Sequence, residues 1–124
     1  MAKMTALTIG FLTGGFARYA LATRLYALTG TAFPWGTLAV NLSGCFLIGV
    51  FDSWAETRAV FGPEARLLLM TGFCGAYTTF STLMLETNNL LADGQTARAM
   101  VNYFGSGLVG LALLRAGAAL GKAF

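Results

Sequence analysis

Charge is what this chain has least of. Only 10% of its 124 residues are Asp, Glu, Lys or Arg, where an ordinary soluble domain carries about a quarter. A short soluble fold has a large surface for its volume and needs polar side chains to cover it. The deficit excludes a soluble domain and makes lipid the solvent for most of the surface. Histidine is absent. With no His, no glycine-rich phosphate loop, no paired carboxylates and no nucleophile beside a base, the chain offers no catalytic set and does not read as an enzyme. Cysteine is scarce too. Cys45 and Cys74 sit in apolar runs without metal-ligand spacing, the pattern of buried helix thiols. Eight basic residues against five acidic ones leave a net charge of +3. They are scattered singly, so no nucleic-acid surface is indicated.

What is present is apolar length: 56% of the residues are hydrophobic. A helix crosses the hydrocarbon core with about 20 mainly apolar residues. Four segments qualify as helices, at residues 4–28 (interrupted by Arg18 and Arg24), 36–54, 67–91 and 96–122. Pro34 precedes the second as a start signal. Residues 52–66, with Gly62-Pro63, read as a loop, and Asp93-Gly94 as a turn. The N-terminal Met1-Ala2-Lys3-Met4 runs into apolar sequence without a small-residue cleavage site, which reads as a retained helix rather than a signal peptide. The expected architecture is all-α: one transmembrane domain over residues 1–124, with four antiparallel helices joined by short connections. That topology puts Lys3, Arg58, Arg66, Arg115 and Lys122 on one side and Arg18, Arg24 and Arg98 on the other. Five against three is too small a bias to set one orientation, and insertion both ways stays open.

Glycine is abundant, at sixteen residues, most of them within the apolar segments. Gly10 with Gly14 and Gly117 with Gly121 have the spacing that lets helices approach closely, within one chain or between subunits. Their density suggests a compact, oligomeric assembly. Asn41 near the start of the second segment must face protein or water, because a carboxamide in hydrocarbon needs partners. The middle of the third segment, Gly75-Ala76-Tyr77-Thr78-Thr79-Phe80-Ser81-Thr82, is poor in helix formers. It reads either as a helix broken around an ion site or as a continuous helix whose hydroxyls bond back to the preceding turn. Arg18, Glu86 and Arg115 are the intramembrane charge candidates. Asn102 to Gly107 opens the fourth segment with a polar stripe.

Three motifs, in order and at the right spacing, resemble one family. Gly72-Phe73-Cys74-Gly75-Ala76-Tyr77-Thr78-Thr79-Phe80-Ser81-Thr82 with Glu86-Thr87 is similar to the signature of the Fluc (CrcB-type) fluoride channels. Gly14-Gly15-Phe16-Ala17-Arg18 and Gly36-Thr37-Leu38-Ala39-Val40-Asn41 match its other two motifs. The resemblance implies an antiparallel, dual-topology homodimer in a bacterial inner membrane, with the third helix broken at the membrane centre and two fluoride pores. It implies a structural sodium ion held by the backbone carbonyls of Gly75 and Thr78 from both subunits. Asn41 would be a pore donor, Phe80 a ring whose edge meets the anion, Ser106 part of a polar track with Thr79 and Asn102 beside it, and Arg18 a vestibule residue.

The chain departs from the family pattern at three places. Leu83 stands where a second phenylalanine is usual, Gly110 where a second hydroxyl is expected, and Asn102 where many members have tyrosine. The departures put the full two-ring pore in question, and some members work as heterodimers, so a different partner chain stays open. Two rival readings have the same size and hydropathy. A small multidrug-type proton-coupled exporter needs a carboxylate in its first helix, and this first segment has none. A non-transporting membrane subunit would have no need of Asn41 or of the polar run in segment three.

Overall fold

The structure, a computed structural model, describes residues 1–57 and 61–123. Every regular element among them is helical: α1 (Ala2–Thr29), α2 (Trp35–Thr57), α3 (Pro63–Arg66), a π-helical stretch (Leu67–Cys74), α4 (Gly75–Tyr77), α5 (Phe80–Ala92) and α6 (Thr96–Ala123). Pro34 precedes the first residue of α2, and Gly94, at φ 72°, makes the turn from α5 to α6. The expected loop from residue 52 to 66 is shorter than its polar sequence suggests. α2 continues through Thr57 and α3 begins at Pro63, whose fixed φ suits a first helical turn. Arg58, one of the residues in the charge comparison, lies outside the described residues.

Three stretches are long and apolar enough to cross a bilayer: Trp35–Thr57, Pro63–Ala92 and Thr96–Ala123. α1 has the length, at 28 residues. Its apolarity is diluted by Lys3, Arg18, Arg24 and several threonines.

Glycine sets how these helices meet. On α6, Gly117 lies against the Phe46 carbonyl of α2, and Gly121 leaves room for Ser53, whose β-carbon would be 2.7 Å from an added Cβ. On α2, Gly49 meets the Leu114 carbonyl in return. Ser53 Oγ then donates to the Ala118 carbonyl at 2.7 Å. On α1, Gly10 lies against the Leu68 carbonyl and Gly72, and Gly14 against the Phe73 carbonyl. Both small-residue pairs are therefore buried between helices of one chain. They give no argument for a second subunit.

The third segment is interrupted. α4 ends at Tyr77, Thr78 and Thr79 are extended (φ −88°, ψ 161° and φ −150°, ψ 116°), and α5 begins at Phe80. Two adjacent β-branched residues favour extended backbone. Thr79 then caps the new helix, its Oγ1 accepting the Thr82 N–H at 3.3 Å. The break falls midway through the 30-residue Pro63–Ala92 stretch. A continuous helix is thereby ruled out.

Candidate functional site

A broken helix leaves backbone groups without their usual partners, and in an apolar setting each must find another. Asn41 supplies two of them. Its Oδ1 accepts the Thr79 N–H at 2.8 Å, and its Nδ2 donates to the Thr79 carbonyl at 3.0 Å. The carboxamide thus pairs with the peptide edge as a neighbouring strand would. Further along α2, Ser43 Oγ lies 2.8 Å from the Tyr77 hydroxyl, and Gly44 accommodates the Thr78 methyl group. α2 is therefore shaped to hold the two ends of the break.

Beside the break is a groove of about 580 Å³ lined by α2, the third segment and α6. It gathers Asn41, Gly75, Thr78, Thr79, Phe80, Leu83 and Ser106. Phe80 stands at its mouth, 69% exposed, whereas Leu83 is 7% exposed. Ser106 Oγ is buried without a hydrogen-bond partner among the described residues. Asn102, a turn earlier on α6, is fully buried and reaches α5 instead of the groove. The Thr87 hydroxyl donates to the Leu83 carbonyl at 2.7 Å, so its oxygen accepts Asn102 Nδ2–H at 3.0 Å. Asn102 Oδ1 is left buried and unpartnered among the described residues. Cys45 lines the groove as well, and its Sγ lies 3.2 Å from where a Cβ on Gly110 would stand. The thiol has taken the space a side chain at 110 would need.

Arg18 is elsewhere. It lines a second groove of about 340 Å³ with Tyr26, Thr37, Thr79, Thr82 and Glu86. Its Nη1 lies 3.5 Å from the Thr78 carbonyl, at the outer limit of a hydrogen bond. Glu86 Oε1 accepts from Tyr26 at 2.9 Å and from Thr37 at 2.7 Å, while its Oε2 is buried without a partner among the described residues. Sequence reasoning singled out Glu86 but missed Tyr26 and Thr37. Thr37 sat within a quoted motif, whereas nothing in the sequence joined Tyr26 to a residue sixty positions away. Arg115, the third charge candidate, is exposed on α6.

The carbonyls expected to hold a cation can be tested against this geometry. In an unbroken helix the Gly75 carbonyl would receive the Thr79 N–H, and the Thr78 carbonyl the Thr82 N–H. The first is diverted to Asn41 and the second to the Thr79 side chain. Gly75 is exposed, with nothing within 4 Å of an added Cβ. Freed carbonyls at the C-terminal, electronegative end of a helix are hard oxygen donors that suit a small cation. The residues fit.

A family model described as "CrcB-like protein, Camphor Resistance (CrcB)" matches residues 5–118. The chain belongs to the CrcB family. Among relatives of this CrcB chain, a protein of Chlorobaculum tepidum named fluoride-specific ion channel FluC is 45% identical over 98% of the chain and 96% of its own length. Another of that name, from Maridesulfovibrio salexigens, is 39% identical over 98% and 97%. A third, from Geobacter sulfurreducens, is 46% identical over 86% of each. Channel relatives and long apolar helices together make this CrcB chain a multi-pass membrane protein.

Proposed function

We propose that this chain conducts fluoride passively across a membrane as one subunit of an antiparallel, dual-topology dimer with two pores, in which α1 is a fourth transmembrane helix. The observation that carries the reading is the meeting of donors and a helix end in one groove. Fluoride is small and strongly hydrated, so a pore must replace its water with donors that do not trap it. Asn41 and Ser106 both line the space into which α5 begins, and the Ser106 hydroxyl is buried there without a partner among the described residues. The start of a helix carries partial positive charge, and the exposed Phe80 ring has a positive edge.

The same break supplies the opposite pole for the cation. We assign a structural sodium ion to the Gly75 and Thr78 carbonyls of two subunits, where it would tie the freed carbonyls together. The groove lies open where Gly75 and Phe80 are exposed, which is where a second chain would complete it. Gly75 has open space beside a Cβ within one chain, so a severe effect of Gly75→Val would be consistent with a contact against a partner.

Purified protein in liposomes should release fluoride, with a current that reverses at the fluoride equilibrium potential. A reversal potential that moved with the pH gradient would replace the channel with a proton-coupled carrier. A cysteine at the C-terminus, in a background without Cys45 and Cys74, should be labelled from both sides of the membrane. Labelling from one side alone would remove the dual topology.

A further inference from the structure

The groove also holds the only two cysteines of the chain. Asn41 bonds Thr79 and Ser43 meets Tyr77, so moving forward along α2 matches moving backward along the third segment. That antiparallel register sets Cys45, the next residue of α2, opposite Cys74, with Ile48 and Met70 one turn further on both sides. The two thiols are free and within electrostatic reach of each other. Ser106 lines the same groove, its Oγ buried without a partner among the described residues.

We propose that Cys45 and Cys74 form a two-thiol site for one soft, thiophilic cation such as Hg2+, and that filling it obstructs the groove beyond Asn41. Soft sulfur ligands select soft metals, and the Met70 thioether lining the same groove adds a third soft atom nearby. Among the described residues no three His, Cys, Asp or Glu side chains come together. A tetrahedral zinc site is therefore not formed, whereas a linear bis-thiolate needs two sulfurs only. Each thiol releases its proton to water as its sulfur bonds the metal. Two protons leave for each Hg2+ taken up, and no electron changes hands. The obstruction rests on the conduction reading above; the binding does not.

The test titrates the detergent-purified chain with mercuric chloride, reading bound metal by native mass spectrometry and released protons in weak buffer. One Hg2+ per chain and two protons per metal are expected. Cys45→Ser and Cys74→Ser each remove one of only two sulfur ligands and should weaken metal binding by more than the roughly 10–100-fold that follows from disturbing an outer-shell partner. Alanine variants stand in where a serine variant does not fold. Two metals per chain, or a single variant binding as tightly as the native protein, would overturn the site. In liposomes, one equivalent of Hg2+ should abolish most fluoride efflux, and a dithiol should restore it. Cys74→Ser should keep most of its own efflux under the same dose. Metal bound with efflux undiminished overturns the obstruction. A chain that binds the metal as described yet moves no fluoride without it leaves the site standing and removes the channel reading.

Discussion

Along the seam of α2 and α6 backbone lies against backbone, whereas at the break between α4 and α5 side chains do the holding. The seam is built on what is missing: Gly49, Gly117 and Gly121 let the two helices close on each other's carbonyls. The break depends on what is added, chiefly Asn41, Ser43 and Thr79. Close packing spreads its stabilisation over many small contacts and leaves no polar group exposed. Polar clamps place theirs in a few bonds, and each can be removed one at a time. One region is a scaffold, and the other, the working part of the proposed channel, takes its geometry from a few side chains.

The sharpest way to break that contrast is Gly117→Leu. The new side chain meets the Phe46 carbonyl, which cannot rotate away. Overpacking costs about 1–3 kcal/mol where neighbours can yield, and more where they cannot. Gel filtration should show aggregated or absent protein. Recovery of a monodisperse, stable variant would mean the seam is looser than described.

Asn41→Ala comes next. It strips the Thr79 N–H and carbonyl of their partners, at about 1–3 kcal/mol for each. Thermal unfolding should register the loss, and fluoride efflux should fall steeply. Ser53→Ala on the seam removes one bond, at about 0.5–1.5 kcal/mol, and should leave efflux nearly unchanged. Were Ser53→Ala to harm efflux more than Asn41→Ala, scaffold and working part would have to exchange names.

Smaller effects sharpen the comparison at the groove itself. Phe80→Leu removes the ring edge and should depress flux strongly. Leu83→Phe adds a second ring to the wall and should raise flux. The opposite pair of results would move the anion path away from this wall. Thr79→Val keeps the extended, β-branched backbone but deletes the cap of α5, a loss of about 1 kcal/mol. It should lower the unfolding temperature modestly, and no change would show that α5 starts without its cap.

Much of this was legible in the sequence because bilayer physics writes in long periods. The ends of the helices fall within a few residues of the apolar runs, with the largest departures around the expected loop, where α2 runs on to Thr57 and α3 begins at Pro63. There Asp52, Glu56 and Thr57 look like loop but belong to the helix. The shortage of helix formers at Thr78-Thr79 left a break and a continuous helix both open, and it was the family resemblance that implied the break. Of the residues the resemblance singled out, Asn41, Thr79, Phe80, Leu83 and Ser106 line one groove, whereas Arg18 and Asn102 do not. What stayed hidden were pairings between distant positions. Neither Tyr26 with Glu86 nor Asn102 with Thr87 leaves a trace in spacing. The π-helical stretch was invisible too, because Leu67-Leu68-Leu69-Met70 is as apolar as any α-helix.

The double bond from Asn41 to Thr79 has a dynamic consequence. A carboxamide ordinarily turns about its terminal torsion, and an ion passing it would carry the donor along for part of the way. Here the amide plane is pinned at both ends, and only one of its N–H hydrogens remains uncommitted. In the proposed pore, that donor would have a fixed direction and no rotational freedom to lose to an anion. It would point the same way there before an ion came and after it had gone.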